Sequence, residues 1–596
     1  MATSPAIDGG GLVRLSVLCD GTALPGTVQV VSAVVKKAVN KIPVAELVVL
    51  DGDMPEQTFP VSDAAYFKPG AAIKINAGYE ASETTIFEGI VVRHGIKITG
   101  DNYSRLVVEC RDKAAAMTVG RKNANFVDSK DSDIISKLIG NSSGLSADVD
   151  ATAVQYKELV QYYCTDWDFM LSRAEVNGLL VIVDAAKVSV KAPATDGTAK
   201  LKVTYGLDLM EFHADMDART QLSSVQGVSW DLAKQEIVQQ QAQPKTLNEQ
   251  GDLTSATLAK VLGVSNFRLQ TPVPLDSTAL KAWIDGQQTK AGLARIQGRM
   301  KFQGSSLAQA GTLIELAGVG KHFNGSVFVT AVCHTISEGN WVTEAEFGSP
   351  AAWFAENRDL VAPPASGLLP GIEGLHIGVV KKLDADPERQ YKIQVSIPVL
   401  QAETDGVWAR LAQFYASDGI GAFFVPEIGD EVILGYFNND PSNPVILGSL
   451  YSSKRKAPYE LTADNFKKAV VTKSKLKLEF DDDKKIITII TPDNNQIVIS
   501  DDGKSILLQD QTNNQVKLSE SGITLDSPKD ITITAKGKVS ISATANVEIN
   551  AQADIKAGAT NITHTANAGF TAKGNASAEL SAAGQTTVKG AMVAIN

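Results

Sequence analysis

Cysteine, long apolar runs, grouped histidines and any excess of positive charge are scarce in this 596-residue chain, and each shortage narrows what it can do. The four cysteines, Cys19, Cys110, Cys164 and Cys333, are scattered without a CxxC pair, so reduced, buried thiols are expected. Lysine and arginine total 56 against 67 acidic residues, a net charge of -11. A phosphate groove needs concentrated Lys and Arg, so no nucleic-acid partner is expected. No apolar run approaches the roughly 18 residues that span a bilayer. The opening MATSPAIDGGG lacks a basic stretch followed by an apolar core, which predicts cytoplasmic assembly without a signal peptide. The six histidines are isolated from one another, and no metal or cofactor site is expected.

A further shortage appears beyond Tyr459, where Trp, Tyr and Cys are absent and the aromatics are Phe466, Phe480 and Phe570. What fills this region is a repeat. From Ile531 the chain reads ITITAKGK, VSISATAN, VEINAQAD, IKAGATNI. One column holds Ile531, Val539, Val547 and Ile555; a second holds Ile533, Ile541 and Ile549; a third holds Ala535, Ala543, Ala551 and Ala559. Gly537, Ala545 and Ala553 form a fourth, small-residue column.

Thr, Ser, Glu and Asn fall between the apolar positions, the alternation of a strand with one face in and one out. About five residues make a strand of roughly 16 Å, after which the small residue permits a corner. Eight residues cannot circle a closed coil and return above their own start. Three chains, each giving one side of a triangular prism, can do so, and every strand edge is then paired. The expectation is an intertwined homotrimeric β-helix whose trimer core is Ile531, Ile533, Val539, Ile541, Val547, Ile549 and Ile555. After Thr560 the columns slip, and Phe570, Leu580 and Val588 fall on a new register.

The rest of the chain is mainly β with a few helices. Residues 1–362 read as a large β-rich region of barrel or sandwich type. Two helical insertions interrupt it: SDIISKLIG, with Asp131 as its cap, and WDFMLSRAEVNG, with Thr165 and Asp168 as a capping box. Asp166, Asp168 and Glu175 resemble a catalytic carboxylate group, but helix capping and a solvated face account for them. IVQQQAQPKTLNEQGD reads as an extended polar loop, and a helix is expected near STALKAWIDGQQTKAGLARIQGRMKF. GVGKH, Gly318 to His322, fails as a phosphate loop because Glu315 and His322 stand where Gly and Ser or Thr are needed.

A Pro/Gly-rich linker at 363–374 precedes about five strands in 375–452, the count of an OB-type Greek-key barrel. Trp408, Phe414, Tyr415, Phe423, Phe424, Tyr436 and Phe437 offer stacking faces there; without a basic stripe around them they read as core or subunit interface. A connector, 453–472, leads into the β-helix of 473–596. In it KLKLEF, IITII, QIVIS, SILLQD, QVKLS and GITLD are separated by Asp, Asn and Gly turn signals.

The segments NKIPVAELVVLDGD (Asn40 to Asp53), FEGIVVRHGIK (Phe87 to Lys97), TDWDFMLSRAEVNG (Thr165 to Gly178) and above all PEIGDEVILGYFNNDPSNPVILGSLY (Pro426 to Tyr451) carry a resemblance. The chain resembles the valine-glycine repeat protein G (VgrG) spikes of type VI secretion systems and of extracellular contractile injection systems. These in turn look like a fusion of the baseplate hub and cell-puncturing spike of contractile-tailed phages. The resemblance implies a homotrimer at the baseplate centre that meets the inner tube protein and punctures a target membrane mechanically on sheath contraction, delivering effector cargo. It also implies a PAAR-repeat tip protein docked on Lys589, Gly590, Ala591, Met592, Val593, Ala594, Ile595 and Asn596.

Only about 20 residues separate Tyr451 from the first β-helix strands, which leaves no room for the lysozyme domain of some phage spikes. Certain phage spikes bind iron through a His-x-His pair at the tip. Here His564 stands alone in HTANAG, and an outward, solvated position is expected of it; turned inward, three copies would meet on the threefold axis. The function expected is a non-enzymatic spike. A spike-linked cell-wall hydrolase and a trimeric adhesin or tail fibre are the alternatives.

Overall fold

The structure, a computed structural model, describes residues 2–5, 11–80, 82–100, 103–401 and 406–595. It divides into two compact units, Met1–Leu450 and Tyr451–Asn596.

The first unit is organised by a 13-stranded sheet. Its strands show the alternation that half-buried strands require: in Val44–Leu50, Ala45, Leu47 and Val49 are fully buried while Glu46 is exposed. The strand Gly325–Ser337 joins the two halves of this sheet. On one edge it pairs antiparallel with Val30–Ala38, Ala331 lying opposite Ala38 and Ser337 opposite Ser32. Along its first part the same edge pairs with Leu313–Ala317, and the other edge pairs with Asn340–Phe347. One core therefore gathers Val35, Leu47, Ile75, Phe87 and Val108, and a second gathers Met300, Phe302, Ile314, Val329 and Phe347. Where the halves meet, Gly304 lies under the ring of Trp341; a Cβ there would fall 2.1 Å from Trp341 Cγ, so only glycine fits.

The two insertion helices are Asp131–Gly140 and Asp166–Val176. They share a core of Ile134, Ile135, Leu138, Trp167, Met170 and Leu171. Thr165 caps the second helix, its Oγ1 accepting from the N–H of Asp168 at 3.0 Å. Asp131 does not cap the first. It is already inside the helix, and its carboxylate is taken by Arg173 and Asn177. The long helix is Ser277–Leu293, with Asp276 Oδ1 accepting from Ala279 N–H at 2.8 Å.

The glutamine-rich stretch expected to be a loop is partly a strand. Glu236–Ala242 pairs antiparallel with Val225–Asp231, an edge position where polar side chains are exposed. Five further strands of this unit close into a barrel: His376–Lys382, Lys392–Ser396, Val407–Leu411, Pro444–Ser449 and Glu431–Tyr436. Val380, Val395, Ala409, Val432, Leu434 and Ile446 fill it.

The second unit opens with a seven-stranded antiparallel meander: Lys467–Val471, Lys477–Asp481, Ile486–Ile490, Gln496–Ser500, Ser505–Gln509, Gln515–Ser519 and Gly522–Asp526. Lys475, Lys485, Asn494, Lys504 and Asn513 turn the chain with positive φ. In the loop before Gln515–Ser519, Asp510 accepts from the Thr512 and Asn514 amides and from both side chains, which lowers its pKa to about 2. Beyond Asp526 no strand pairing occurs among the described residues. The chain instead runs in extended segments, with bends beginning at 528, 536, 544, 552, 560, 567, 575, 583 and 591.

Candidate assembly surface

The meander carries an apolar face that no residue described in its own unit buries. Its register stacks Val470, Leu478, Ile489, Ile497, Leu508, Val516 and Leu525 in one row. Phe480, Ile487, Ile499, Ile506, Leu518 and Ile523 form a second row on the same face. The opposite face alternates Thr488, Val498, Leu507 and Lys517.

Among the described residues, no cluster of buried apolar side chains includes any residue beyond Ile446. Among the described residues of the second unit, the buried ones are Asp481 and Ser500, both polar. A five-residue strand array with an unburied Ile/Leu face lacks the apolar burial that stabilises a domain, so this face is made to be covered.

The face continues into the octads. A groove of about 680 Å³ is lined by Ile489, Ile497, Leu508, Val516, Leu525 and Ile531, so the first row of the sheet runs on into the first octad column. The candidate core residues stand in the open along it: Ile531 at 56% exposure and Ile533 at 72%, with Val539, Ile541, Val547, Ile549 and Ile555 between 55% and 74%.

The bends also explain the slip after Thr560. Their spacing is eight residues except for one step of seven, from 560 to 567. The new register is thus one shortened unit, after which the period of eight resumes. With the period of eight resumed, Phe570 falls in the first column, and Ala572, Leu580 and Val588 fall in the second.

At the far end Met592 and Ile595 are 89% and 91% exposed. Asn596 lies outside the described residues.

A polar clasp starts the sheet. Glu479 accepts from Lys467 Nζ at 2.8 Å, from Lys477 Nζ at 2.9 Å and from the hydroxyl of Tyr459. Burial works against its charge, but these three donors outweigh it and hold the Glu479 carboxyl at about 2.

The acidic residues that resembled a catalytic group are structural, and two are buried rather than solvated. Asp166 holds Lys122 and Gln161. Glu175 holds Lys290 and accepts from the amide of Phe354. In GVGKH, Lys321 and His322 both turn to Asp252, at 3.4 and 2.5 Å. The barrel aromatics are largely not core: Phe414 and Phe423 are 86% and 81% exposed, and Tyr415, Phe424 and Phe437 are exposed as well. Tyr436 packs against the barrel interior.

Residues 9–338 match the family described as the Alg8 N-terminal domain. Residues 376–451 match the type VI secretion system/phage-baseplate injector OB domain. Residues 486–559 match the phage baseplate V C-terminal trimerisation domain. The type VI secretion system spike protein VgrG1a of Pseudomonas aeruginosa is 37% identical over 62 residues, which is 10% of each chain. The spike protein VgrG3 of Vibrio cholerae is 39% identical over 59 residues, 10% of this chain and 6% of that protein. The alignment thus spans about a tenth or less of these curated relatives. A type VI secretion component of E. coli, described as similar in structure to phage T4 tail proteins, covers 73% of this chain and 99% of its own at 12% identity and a TM-score of 0.36.

Proposed function

Because this chain belongs to the Alg8 N-terminal domain family and is a VgrG-type spike protein of a contractile injection system, we propose that it works as a non-enzymatic, homotrimeric central spike. In this reading residues 1–362 form the hub that meets the inner tube and baseplate. Residues 363–374 are the linker, 375–452 the barrel that gathers three chains, and 453–472 the connector to the shaft of 473–596.

The observation that carries this reading is the uncovered apolar face from Val470 to Ile531. Three copies folded face to face bury these rows, and strands of neighbouring chains supply the hydrogen bonds that the octads lack within one chain. The exposed Phe414 and Phe423 then serve as contacts between barrels rather than as stacking sites for a sugar or base. A rod of closed strand ladders transmits axial force, which is the work of a spike driven through a membrane with its cargo. Lys589 to Asn596 is the surface offered to a PAAR-repeat tip protein.

Sedimentation of the full chain tests this directly. A folded trimer is the expected species, and a stable folded monomer overturns the reading. Clearing of a cell wall in a zymogram would overturn its non-enzymatic part. Electron microscopy of injection particles should place the protein at the centre of the baseplate, and density on lateral fibres would favour an adhesin.

A further inference from the structure

We infer that the Pro/Gly stretch before the barrel is a folded clasp locked onto it, and that the hinge between the β-rich region and the barrel lies at residues 357–362, just ahead of the clasp. The clasp needs no partner copy, so it stands or falls apart from the trimeric reading above.

The backbone of this stretch is not that of a tether. Ala365 (φ 51°, ψ 29°), Ser366 (φ 57°, ψ 17°) and Gly367 (φ 73°) are left-handed in succession. A residue with a Cβ visits that region at a cost and normally alone, so a run containing Ala and Ser persists only where its surroundings impose it. Here they do. Ala365 is 4% exposed, and its C=O accepts from the Leu368 N–H at 3.0 Å. The chain then doubles back on itself: a Cβ on Gly371 would stand 2.4 Å from Pro364 Cβ, so only glycine closes the loop.

The barrel supplies the other half. The turn between Glu431–Tyr436 and Pro444–Ser449 has a left-handed pair of its own, Asn438 (φ 49°) and Asn439 (φ 58°). Asn439 C=O accepts from the Ile372 N–H at 2.9 Å, and Asn438 Nδ2 donates to Ser366 Oγ at 3.1 Å. Each strained turn therefore holds the other in place.

Upstream, the chain is pinned to the β-rich region. Trp353 Nε1 donates to Gln287 Oε1 and the Phe354 N–H to Glu175, both at 2.7 Å. Between the two anchors Asn357, Arg358, Asp359 and Val361 are exposed, and the hydrogen bonds that Asn357 and Leu360 donate stay within 354–360. Few buried contacts and only local hydrogen bonds mark the segment that opens first, and a few such loop residues suffice for a hinge.

Chymotrypsin digestion of the full-length protein, followed by mass spectrometry, tests this. Leu360 and Leu368 are comparable sites, whereas Leu369 is followed by Pro370 and is not cut. Leu368 is 85% exposed and Leu360 only partly exposed, so exposure alone favours cleavage after Leu368. The clasp predicts the reverse, with Leu360 cut roughly tenfold faster, because a protease needs a chain that opens locally. Ser366→Val puts a β-branched residue where φ is positive, and Gly371→Ala blocks the fold-back. Each should raise cleavage after Leu368 by roughly tenfold while leaving Leu360 unchanged. Ser366→Gly keeps the turn without the hydroxyl and should stay resistant. Faster cutting at Leu368 than at Leu360 in the unaltered protein overturns the clasp. So does resistance in all three variants, which would mean that a neighbouring copy covers Leu368, and so does an Ser366→Gly protein that opens as readily as Ser366→Val.

Discussion

Arg173 holds Asp131 with two donors, Nε to Oδ1 at 2.7 Å and Nη2 to Oδ2 at 3.0 Å, across the interface of the two insertion helices. Asn177 Nδ2 donates to the same carboxylate at 2.8 Å, and Tyr156 accepts from Arg173 at 2.7 Å. Asp131 is fully buried. Burial opposes the charge on Arg173, but the hydrogen bonds and charge of Asp131 outweigh it and raise its pKa. Removing one partner leaves the other charged, buried and unpaired, which typically costs about 3–5 kcal/mol. Asp131→Ala should therefore speed amide exchange in both Asp131–Gly140 and Asp166–Val176. The double variant Asp131→Leu with Arg173→Met should be less harmful than the single one. Hydrogen exchange read by mass spectrometry distinguishes these outcomes.

A second expectation concerns pH. His334 is buried beside Trp341, its Nδ1 2.9 Å from Thr343 Oγ1. Burial first, and the charge of Lys37 second, push its pKa from 6.5 to about 3. The unfolded chain takes up a proton near 6.5 and the folded chain only near 3. The contribution of His334 to stability is thus complete above pH 6.5 and is lost as pH falls from there towards 3, at up to about 1.4 kcal/mol per pH unit. Urea unfolding of the first unit should weaken over this window, and His334→Gln should flatten the dependence. Parallel curves for the two proteins would contradict the assignment.

The apolar face gives a third expectation. Ile497 lies mid-row, between Ile489 and Leu508, whereas Thr488 lies on the opposite face of the neighbouring strand, opposite Val498. A carboxylate buried at three symmetry-related places without partners is strongly disfavoured. Ile497→Asp should abolish the trimer in sedimentation, and Thr488→Lys should leave it unchanged. Equal behaviour of the two would mean that the rows are not the contact.

Much of this architecture is legible in the sequence because it is local. Strict alternation and Asn/Asp turns mark the strands from Lys477 to Asp526, and the octads show in the spacing of the bends from 528 to 560. What escapes a reading of the sequence depends on residues far apart along it. The pairing of Gly325–Ser337 with Val30–Ala38 leaves no sign in either segment. Asp131 looks like a cap until Arg173, 42 residues on, claims its carboxylate. Glu236–Ala242 passes for a loop because an edge strand with exposed glutamines has no apolar period. The slip after Thr560 is visible in the columns, but its meaning as a single seven-residue unit comes from the spacing of the bends.

The tip surface yields the last prediction. Met592 and Ile595 are among the most exposed large apolar residues of the chain, and they follow the bend at 591. The two apolar rows of the meander and the columns from Ile531 to Val588 all lie before Lys589. Deleting residues 589–596 removes little of the face that joins three chains, so the truncated protein should sediment as the full chain does. If the exposed end is the seat of a conical tip protein, the same deletion should abolish co-purification of a PAAR-repeat protein and leave a blunt end in electron micrographs of assembled particles. Retained binding by a trimeric truncation would move the docking surface upstream, while loss of the trimer would show that these residues belong to the shaft's own core.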